Sequence, residues 1–472
     1  MARPAEPVYK HPMARDVTDT TPITSRDELV AWFEAGCKPA SEFRLGTEHE
    51  KVPFYTADHS PVPYEGQPGR HNGIRAVLEG MQRETGWEPI IDRDALIGLA
   101  DPKGLGAISL EPGGQFELSG APLDNVHETA AELAQHLEQV KRVSAPLGVG
   151  YLDLGMSPVW TFEQTPRMPK SRYKIMTAYM PKVGTRGLDM MYRTSTVQVN
   201  LDFASEADMV KKMRVSLALQ PLATALFANS PFTDGKPNGR LSERSEIWRD
   251  TDNNRAGMLP FVFEDGMSFE RYVDYALDVP MYFVKRGDTY HDVTGASFRD
   301  LLDGRLAGLP GERATMSDWA NHLSTIFPEV RLKRYIEMRG ADVGGPQHIA
   351  ALSAFFVGLL YDSAALDAAW DLVKGWSAVE RQSLRDAVPS QALRATIKGR
   401  SLQDVGRDAL KIARAGLAAR GRRNANGEDE TKFVDLLDAR IASGRVAAQD
   451  LLDLYEGPWK RDLSRVFTEC TF

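Results

Sequence analysis

A chain of 472 residues, with 42% hydrophobic and 26% charged side chains, has ordinary globular composition and ample length for a large core. Its net charge of −8 excludes a general nucleic-acid binder, whose domains are basic. Two cysteines, Cys37 and Cys470, exclude a disulfide framework and a cysteine-built zinc site, suit a reducing cytoplasm, and leave open only a single Cys37–Cys470 link.

Residues 1–23 contain acids and no apolar run, so they read as an extended or partly ordered arm and not as a signal or transit peptide. A helix opens at Ser25, where Ser25 and Glu28 make a capping box. Leu29, Trp32 and Phe33 form its stripe, and Gly36 ends it. FRLGTEHEK follows as a strand with Arg44, Gly46, Glu48 and Glu50 on one face. Helical spacing runs from Asn72 to Gly86, short strands continue to Asp101, and Glu111–Gly114 makes a turn. The next strand sets Gln115, Glu117 and Ser119 against Phe116 and Leu118. Asn125 to Ala145 is a long amphipathic helix, and Ser171 starts another that reaches Tyr179.

In the third polar-faced strand Thr196, Gln198, Asn200 and Asp202 alternate with Val197, Val199, Leu201 and Phe203. A strong helix covers Glu206–Phe227, and Asn229–Arg255 is loop-rich and dense in Arg, Asn and Asp. Short strands are expected near Phe261–Phe263 and Pro280–Lys285, with helices over Ser268–Leu277 and Ser297–Leu302. Arg331, Lys333, Tyr335, Glu337 and Arg339 share one face of a fourth polar-faced strand. From Gln347 onward the chain reads as mostly helical, with residues 419–430 a polar surface loop. The apolar run Ile349–Tyr361 is too short to span a bilayer, which implies a soluble protein without a membrane partner. Strands and helices interleave without a βαβ rhythm, so the expected class is α+β around a largely antiparallel sheet.

The polar faces carry the chemistry. Glu48 and Glu50, two apart on a strand, sit about 7 Å from each other on one side, where each raises the other's pKa unless a cation lies between them. Glu117 lies between apolar neighbours, and the Pro-Gly-Gly turn can fold Glu111 back towards it. Gln198 and Asn200 offer amide oxygens, and Glu337 with Arg339 can hold a metal and the phosphate it bridges. Arg244, Arg249 and Arg255, and the basic trio Arg172, Lys174 and Lys182, suit anions. Each feature alone also suits a solvated face or an ion-pair ladder. No GxxxxGK[ST], strand-borne GxGxxG, HExxH or GxSxG pattern occurs, so a nucleotide site here has to be metal-led. His49 falls on the face opposite Glu48 and Glu50 and reads as structural.

The words FRLGTEHEK, ISLEPGGQFELSGAP, RYKIMTAYMPKVG, RTSTVQVNLDF, DVPMYF and RLKRYIEMRGAD together resemble the plant-type and proteobacterial branch of glutamate–cysteine ligase, from about Thr24 to Glu456. The resemblance implies a glutamine synthetase-like curved, mainly antiparallel sheet with helices on its outer face. It implies a single catalytic domain over residues 24–472, helical from about 347. It also implies ATP-dependent joining of the L-glutamate γ-carboxylate to the L-cysteine amine, the first step of glutathione biosynthesis, with two or three Mg²⁺ ions. Carried over by motif, Glu48, Glu50, Glu111, Glu117, Gln198 and Glu337 hold metal. Arg339, with Glu48 and Glu337, is catalytic. Arg172, Lys182, Lys236, Arg244, Arg249 and Asn200 bind ATP or glutamate. Plant members carry regulatory cysteines where Val293 and Gly308 stand, so a thiol switch of that kind is not expected. The remaining expectations are a cytoplasmic enzyme, monomeric or homodimeric. A different amine acceptor, or a non-enzymatic acidic metal-binding module, stays open at this point.

Overall fold

The alternation of apolar and polar side chains becomes one sheet. The computed structural model describes residues 19–66 and 72–472, so the arm expected over residues 1–23 lies mostly outside the described residues. Its last residues dock: Ile23 is buried and its N–H donates to Ala314 O at 2.9 Å. Eight strands form the main sheet: β1 Leu45–His49, β2 Glu88–Asp92, β3 Ala95–Ala100, β4 Ala107–Leu110, β5 Phe116–Ser119, β6 Thr196–Leu201, β7 Val330–Leu332 and β8 Ile336–Asp342. Their order is β7-β8-β6-β1-β5-β4-β3-β2, and every neighbouring pair is antiparallel. The α+β class with an antiparallel sheet is therefore as expected.

One face of this sheet is apolar because its strands have period two. Leu45, Val197, Val199, Leu201, Ile336 and Met338 are each 1% exposed or less. They belong to one core with helices drawn from both halves of the chain. The helices of the fold include α1 (Arg26–Glu34), α2 (Ile74–Thr85), α3 (Val126–Ser144), α4 (Ser171–Tyr179), α5 (Glu206–Leu226), α6 (Met316–Ser324), α7 (Pro346–Leu360), α8 (Ser363–Val373), α9 (Ala378–Gln391) and α10 (Leu402–Arg420), of which α2 and α4 pack in clusters separate from that core. Helices α5, α7 and α10 supply most of that packing, while α2 and α3 cover the β3–β5 end through a second cluster that includes Ile108, Leu110 and Phe116. The capping box predicted at Ser25 and Glu28 is present. Among the described residues no single helix is long and apolar enough to cross a membrane. The α7–α8 pair bends by 93°, and α7 is buried along nearly its whole length.

Several local expectations are corrected. Phe261–Phe263 lies in a 3-10 turn, Pro260–Phe263, because Pro260 fixes φ and Leu259 before it stands at φ 47°, which no ladder accepts. Of Pro280–Lys285 only the end pairs, in a hairpin of Phe283–Arg286 with Thr289–Asp292. The single strand expected from Arg331 to Arg339 is two strands, β7 and β8, so Arg331 sits directly across from Glu337. The polar loop 419–430 ends inward: Glu430 is fully buried and accepts from Val126 N at 2.8 Å, capping α3. Cys37 and Cys470 are both free, so the link left open does not form. Val293 and Gly308 do meet, since a Cβ built on Gly308 would lie 3.3 Å from Val293 Cγ1. With no thiol at either position, apolar contact alone joins them.

Candidate active site

The other sheet face is polar and walls a cavity of about 450 Å³. Glu48 and Glu50 of the β1 stretch, Glu117 of β5, Glu111 just after β4, and Gln198 and Asn200 of β6 all line it, as do Arg172, Arg244 and Arg339. Pairing register sets their order across the sheet: Glu48 lies between Gln198 and Ser119, and Glu337 lies beside Asn200. Between β8 and β6 the register shifts after Met338, so Arg339 and Gly340 have no residue of their own opposite them. This bulge re-aims Arg339, whose Nη1 donates to Gln198 Oε1 at 2.5 Å.

Each carboxylate is held differently. Glu48 Oε1 accepts from Asn200 Nδ2 at 2.8 Å. Glu50 Oε2 accepts from Thr196 N at 3.0 Å, and Glu117 Oε2 from Ser109 Oγ at 2.6 Å. Glu111 Oε1 accepts from Tyr173 OH at 3.1 Å. Burial, then the neighbouring Glu337 and Glu117, pushes the Glu48 carboxyl up to about 8. Glu50 is pushed well above the usual carboxylate range by burial and by Glu111 and Glu117. Glu117 is raised by burial and by Glu111, against the Ser109 hydrogen bond. Like charges buried together resist ionisation unless a cation joins them.

Glu337 is different, and here the expectation changes. It is fully buried and does not line the cavity. Arg331 holds it in a bidentate fork, Nε to Oε2 at 2.8 Å and Nη2 to Oε1 at 2.7 Å. Lys333 Nζ lies 3.4 Å away, and Arg339 Nη1 also bonds it. Burial alone would raise its pKa, but Arg331, Lys333 and Arg339 hold it well below the carboxylate range. Among the described residues no three His, Cys, Asp or Glu groups already converge on one metal position.

Three predicted anion ligands stand away from the cavity. Lys182 and Lys236 are exposed on the surface. Arg249 is exposed and committed to Glu246 and Asp386, each at 3.1 Å. Lys174 is exposed too. Arg255 is a core residue, paired with Asp252 at 2.6 Å beneath the Tyr282 ring. Only Arg244 of that arginine-rich segment reaches the cavity, because it sits on the short helix Glu243–Ile247 whose cap, Ser242, is tied to buried Asp342. His49 packs on the helix side against His136, as expected.

Sequence reading missed Lys170, Tyr173, Ser109 and Trp248, which line the cavity, and gave no role to Arg331 and Lys333 of the fourth polar face, which line it too. Ser109 had a signal, since ISLE alternates like the other four strands. The pairing of Lys170 Nζ with Tyr173 OH at 3.2 Å had none.

Gln115, which heads β5, is a structural clasp: its Nε2 donates to Thr194 O at 2.8 Å and its Oε1 accepts from Gly113 N at 2.9 Å. A Cβ on Gly113 would lie 2.0 Å from Tyr192 O, and backbone cannot yield there. Gly113→Ala is therefore expected to cost about 1–3 kcal/mol in a denaturation midpoint and to lower activity with it, because the turn carrying Glu111 must move. An unchanged midpoint would contradict the close packing.

An all-antiparallel sheet with helices behind it defines a class of fold that solved structures share. A glutamate–cysteine ligase from Francisella tularensis in complex with AMP superposes with a TM-score of 0.53 at 13% identity, over 90% of this chain and 88% of that one. A bifunctional glutathione synthetase from Pasteurella multocida gives 0.51 at 13% identity, over 92% of this chain, which spans about half (51%) of that longer protein. The glutamate–cysteine ligase family 2 model matches residues 44–469, and the chain belongs to that family. The chloroplastic glutamate–cysteine ligase of Nicotiana tabacum is 51% identical over 465 residues, covering 98% of this chain and 86% of the relative. That of Arabidopsis thaliana is 51% identical over 461 residues, covering 98% and 85%. The expectation of a cytoplasmic protein is overturned: these relatives are chloroplastic, so few cysteines and an acid-containing N-terminus do not place a chain of this family in the cytoplasm.

Proposed function

We propose that the chain uses ATP to join the γ-carboxylate of L-glutamate to the amine of L-cysteine through γ-glutamyl phosphate, the first step of glutathione biosynthesis. The observation that carries this reading is one cavity lined by the carboxylates of Glu48, Glu50, Glu111 and Glu117 together with the cations of Arg172, Arg244, Lys333 and Arg339. The donor set fits a hard dication: all ligands are oxygen, and Glu48, Glu50 and Glu117 are pushed towards protonation by burial and by one another and Glu111 or Glu337. Glu48, Glu50 and Glu117 would hold two or three Mg²⁺ ions, with Glu111 and the Gln198 amide oxygen beside them. Magnesium there would neutralise the ATP phosphates and return the carboxylates to their ionised form.

The chain's own groups do the rest. Arg339, aimed by the bulge and by Glu337, offsets charge on the transferring phosphoryl group. Glu337 serves as the anchor of Arg331, Lys333 and Arg339. Arg172 and Arg244 bind the carboxylates and phosphates of glutamate and ATP. A glutamate γ-carboxylate oxygen attacks the γ-phosphorus and ADP leaves. The cysteine amine then attacks the acyl carbon, loses a proton and expels phosphate.

Coupled ADP release with ATP, magnesium, glutamate and one amino acid at a time tests this. Release is expected to depend on glutamate and to favour cysteine over alanine, serine and 2-aminobutyrate. Equal rates with all amines, or none with cysteine, would remove the reading.

A further inference from the structure

The outermost strand of the sheet reaches the cavity through one side chain. β2 is the sheet's edge, and it turns back into β3 at Asp92, which pairs with Ala95. On this edge the apolar Ile91 is 52% exposed while the acid beside it is half-buried, the reverse of what the hydrophobic effect favours. Asp92 Oδ2 accepts from Ser171 N at 2.5 Å, and Oδ1 accepts from Ser171 Oγ at 2.9 Å, across 79 residues of chain. Ser171 is the first residue of α4, and Lys170 before it offers no side-chain cap. The first N–H groups of a helix have no partner within it and favour a nearby negative charge. Asp92 supplies acceptor and charge from another element.

The same turn furnishes the cavity. Lys170, Arg172 and Tyr173 line it, and Asp92 does not. Lys170 Nζ donates to Leu110 O at 3.4 Å, and Tyr173 OH donates to Glu111 Oε1 at 3.1 Å. The turn is thus tied to the end of β4 at Lys170 and Tyr173, and to the β2–β3 hairpin at Ser171. Arg172 stands between these ties in the chain, so its backbone is held on both sides. Without Asp92 the Ser171 N–H loses its acceptor, and the helix can fray from its first residue, as helix ends do.

We propose that Asp92 is a positioning residue for Arg172: from the edge of the sheet it pins the first turn of α4 and thereby fixes the guanidinium that binds an anionic group of the substrates. The binding role of Arg172 rests on the ligase reading, whereas the tie that holds its backbone does not.

ADP-release kinetics on the full chain, with glutamate and ATP varied in turn, test this. Asp92→Ala is expected to raise the KM of the substrate that Arg172 binds by about tenfold and to leave kcat within about threefold, the signature of binding lost equally from ground and transition states. Arg172→Gln should raise the same KM, and adding Asp92→Ala to it should change that value by less than about twofold, because the two residues act as one unit. An equal further rise in the double variant, or an unchanged KM in Asp92→Ala, overturns the proposal. Asp92→Asn keeps an acceptor for the Ser171 N–H and should hold KM within about threefold of the parent. A rise as large as that of alanine overturns the hydrogen-bonded route. If the parent itself releases no ADP with glutamate and cysteine, the ligase reading fails, and the position of Arg172 is read directly. Crystals of Asp92→Ala are expected to show Ser171 and Arg172 displaced by about 1 Å or more from the parent. Coincident backbones overturn the proposal.

Discussion

Glu48→Ala is expected to reduce magnesium-dependent ADP release by about 10²–10³-fold or more, while the ligand-free protein becomes more stable and not less. Both effects come from one fact. Glu48 is buried among Glu337 and Glu117 and is pushed up to about 8. In the unfolded chain the same carboxyl titrates near the ordinary 4.5. Between those values the folded state binds the proton that the unfolded state has lost, so stability falls as pH rises from about 5 to 8. At pH 8 the cost is on the order of 3–5 kcal/mol for the ligand-free protein. Alanine removes the carboxyl, its cost and its share of the pH slope together. Thermal unfolding across that pH range, with and without Mg–ATP, checks this. Magnesium and ATP should flatten the slope of the parent. If turnover of the variant stays within tenfold of the parent, the assignment of Glu48 fails. If the variant is less stable at pH 8, the electrostatic account fails.

Arg331→Met should have the opposite signature. Arg331 and Glu337 form a bidentate pair in which both side chains are at most 7% exposed. Arg331 also closes two carbonyls, Ser324 O and Ile326 O, each at 3.0 Å. Removing it leaves a buried carboxylate with weaker partners, and the buried Ile326 carbonyl and partly buried Ser324 carbonyl without that donor. Breaking a buried pair from one side costs about 3–5 kcal/mol. Denaturant unfolding should show this loss, and activity should fall with it because Arg339 loses its aligned anchor. Arg331→Lys keeps a charge without the fork and should recover part of the stability. A loss below about 1 kcal/mol would mean that Lys333 and Arg339 satisfy Glu337 by themselves.

The strand faces were legible because period two needs no partner to be read. Glu48 and Glu50, Glu117, and Gln198 with Asn200 each sit opposite apolar residues in sequence, and each faces the cavity in the fold. The capping box of Ser25 and Glu28 was legible for the same local reason. The arginine-rich segment was not. Arg244, Arg249 and Arg255 look alike in sequence, yet one lines the cavity, one meets solvent and one is sealed in the core. Their fates depend on which residues come back to meet them or their helix, Arg339 and Asp342 for Arg244, Asp386 for Arg249 and Tyr282 for Arg255.

The sequence by itself determined the antiparallel sheet, its acidic face and the family. Hydrophobic alternation and ordered motif words are properties of neighbours along the chain. Only the tertiary structure decided that Glu337 is an anchor behind the wall. The turn at 333–335 folds Arg331 across from it, and a buried carboxylate takes the nearest guanidinium. Only the tertiary structure, too, set Lys170, Tyr173 and Trp248 around the cavity, because contacts between residues far apart in the chain depend on how the elements pack and leave no local pattern to read.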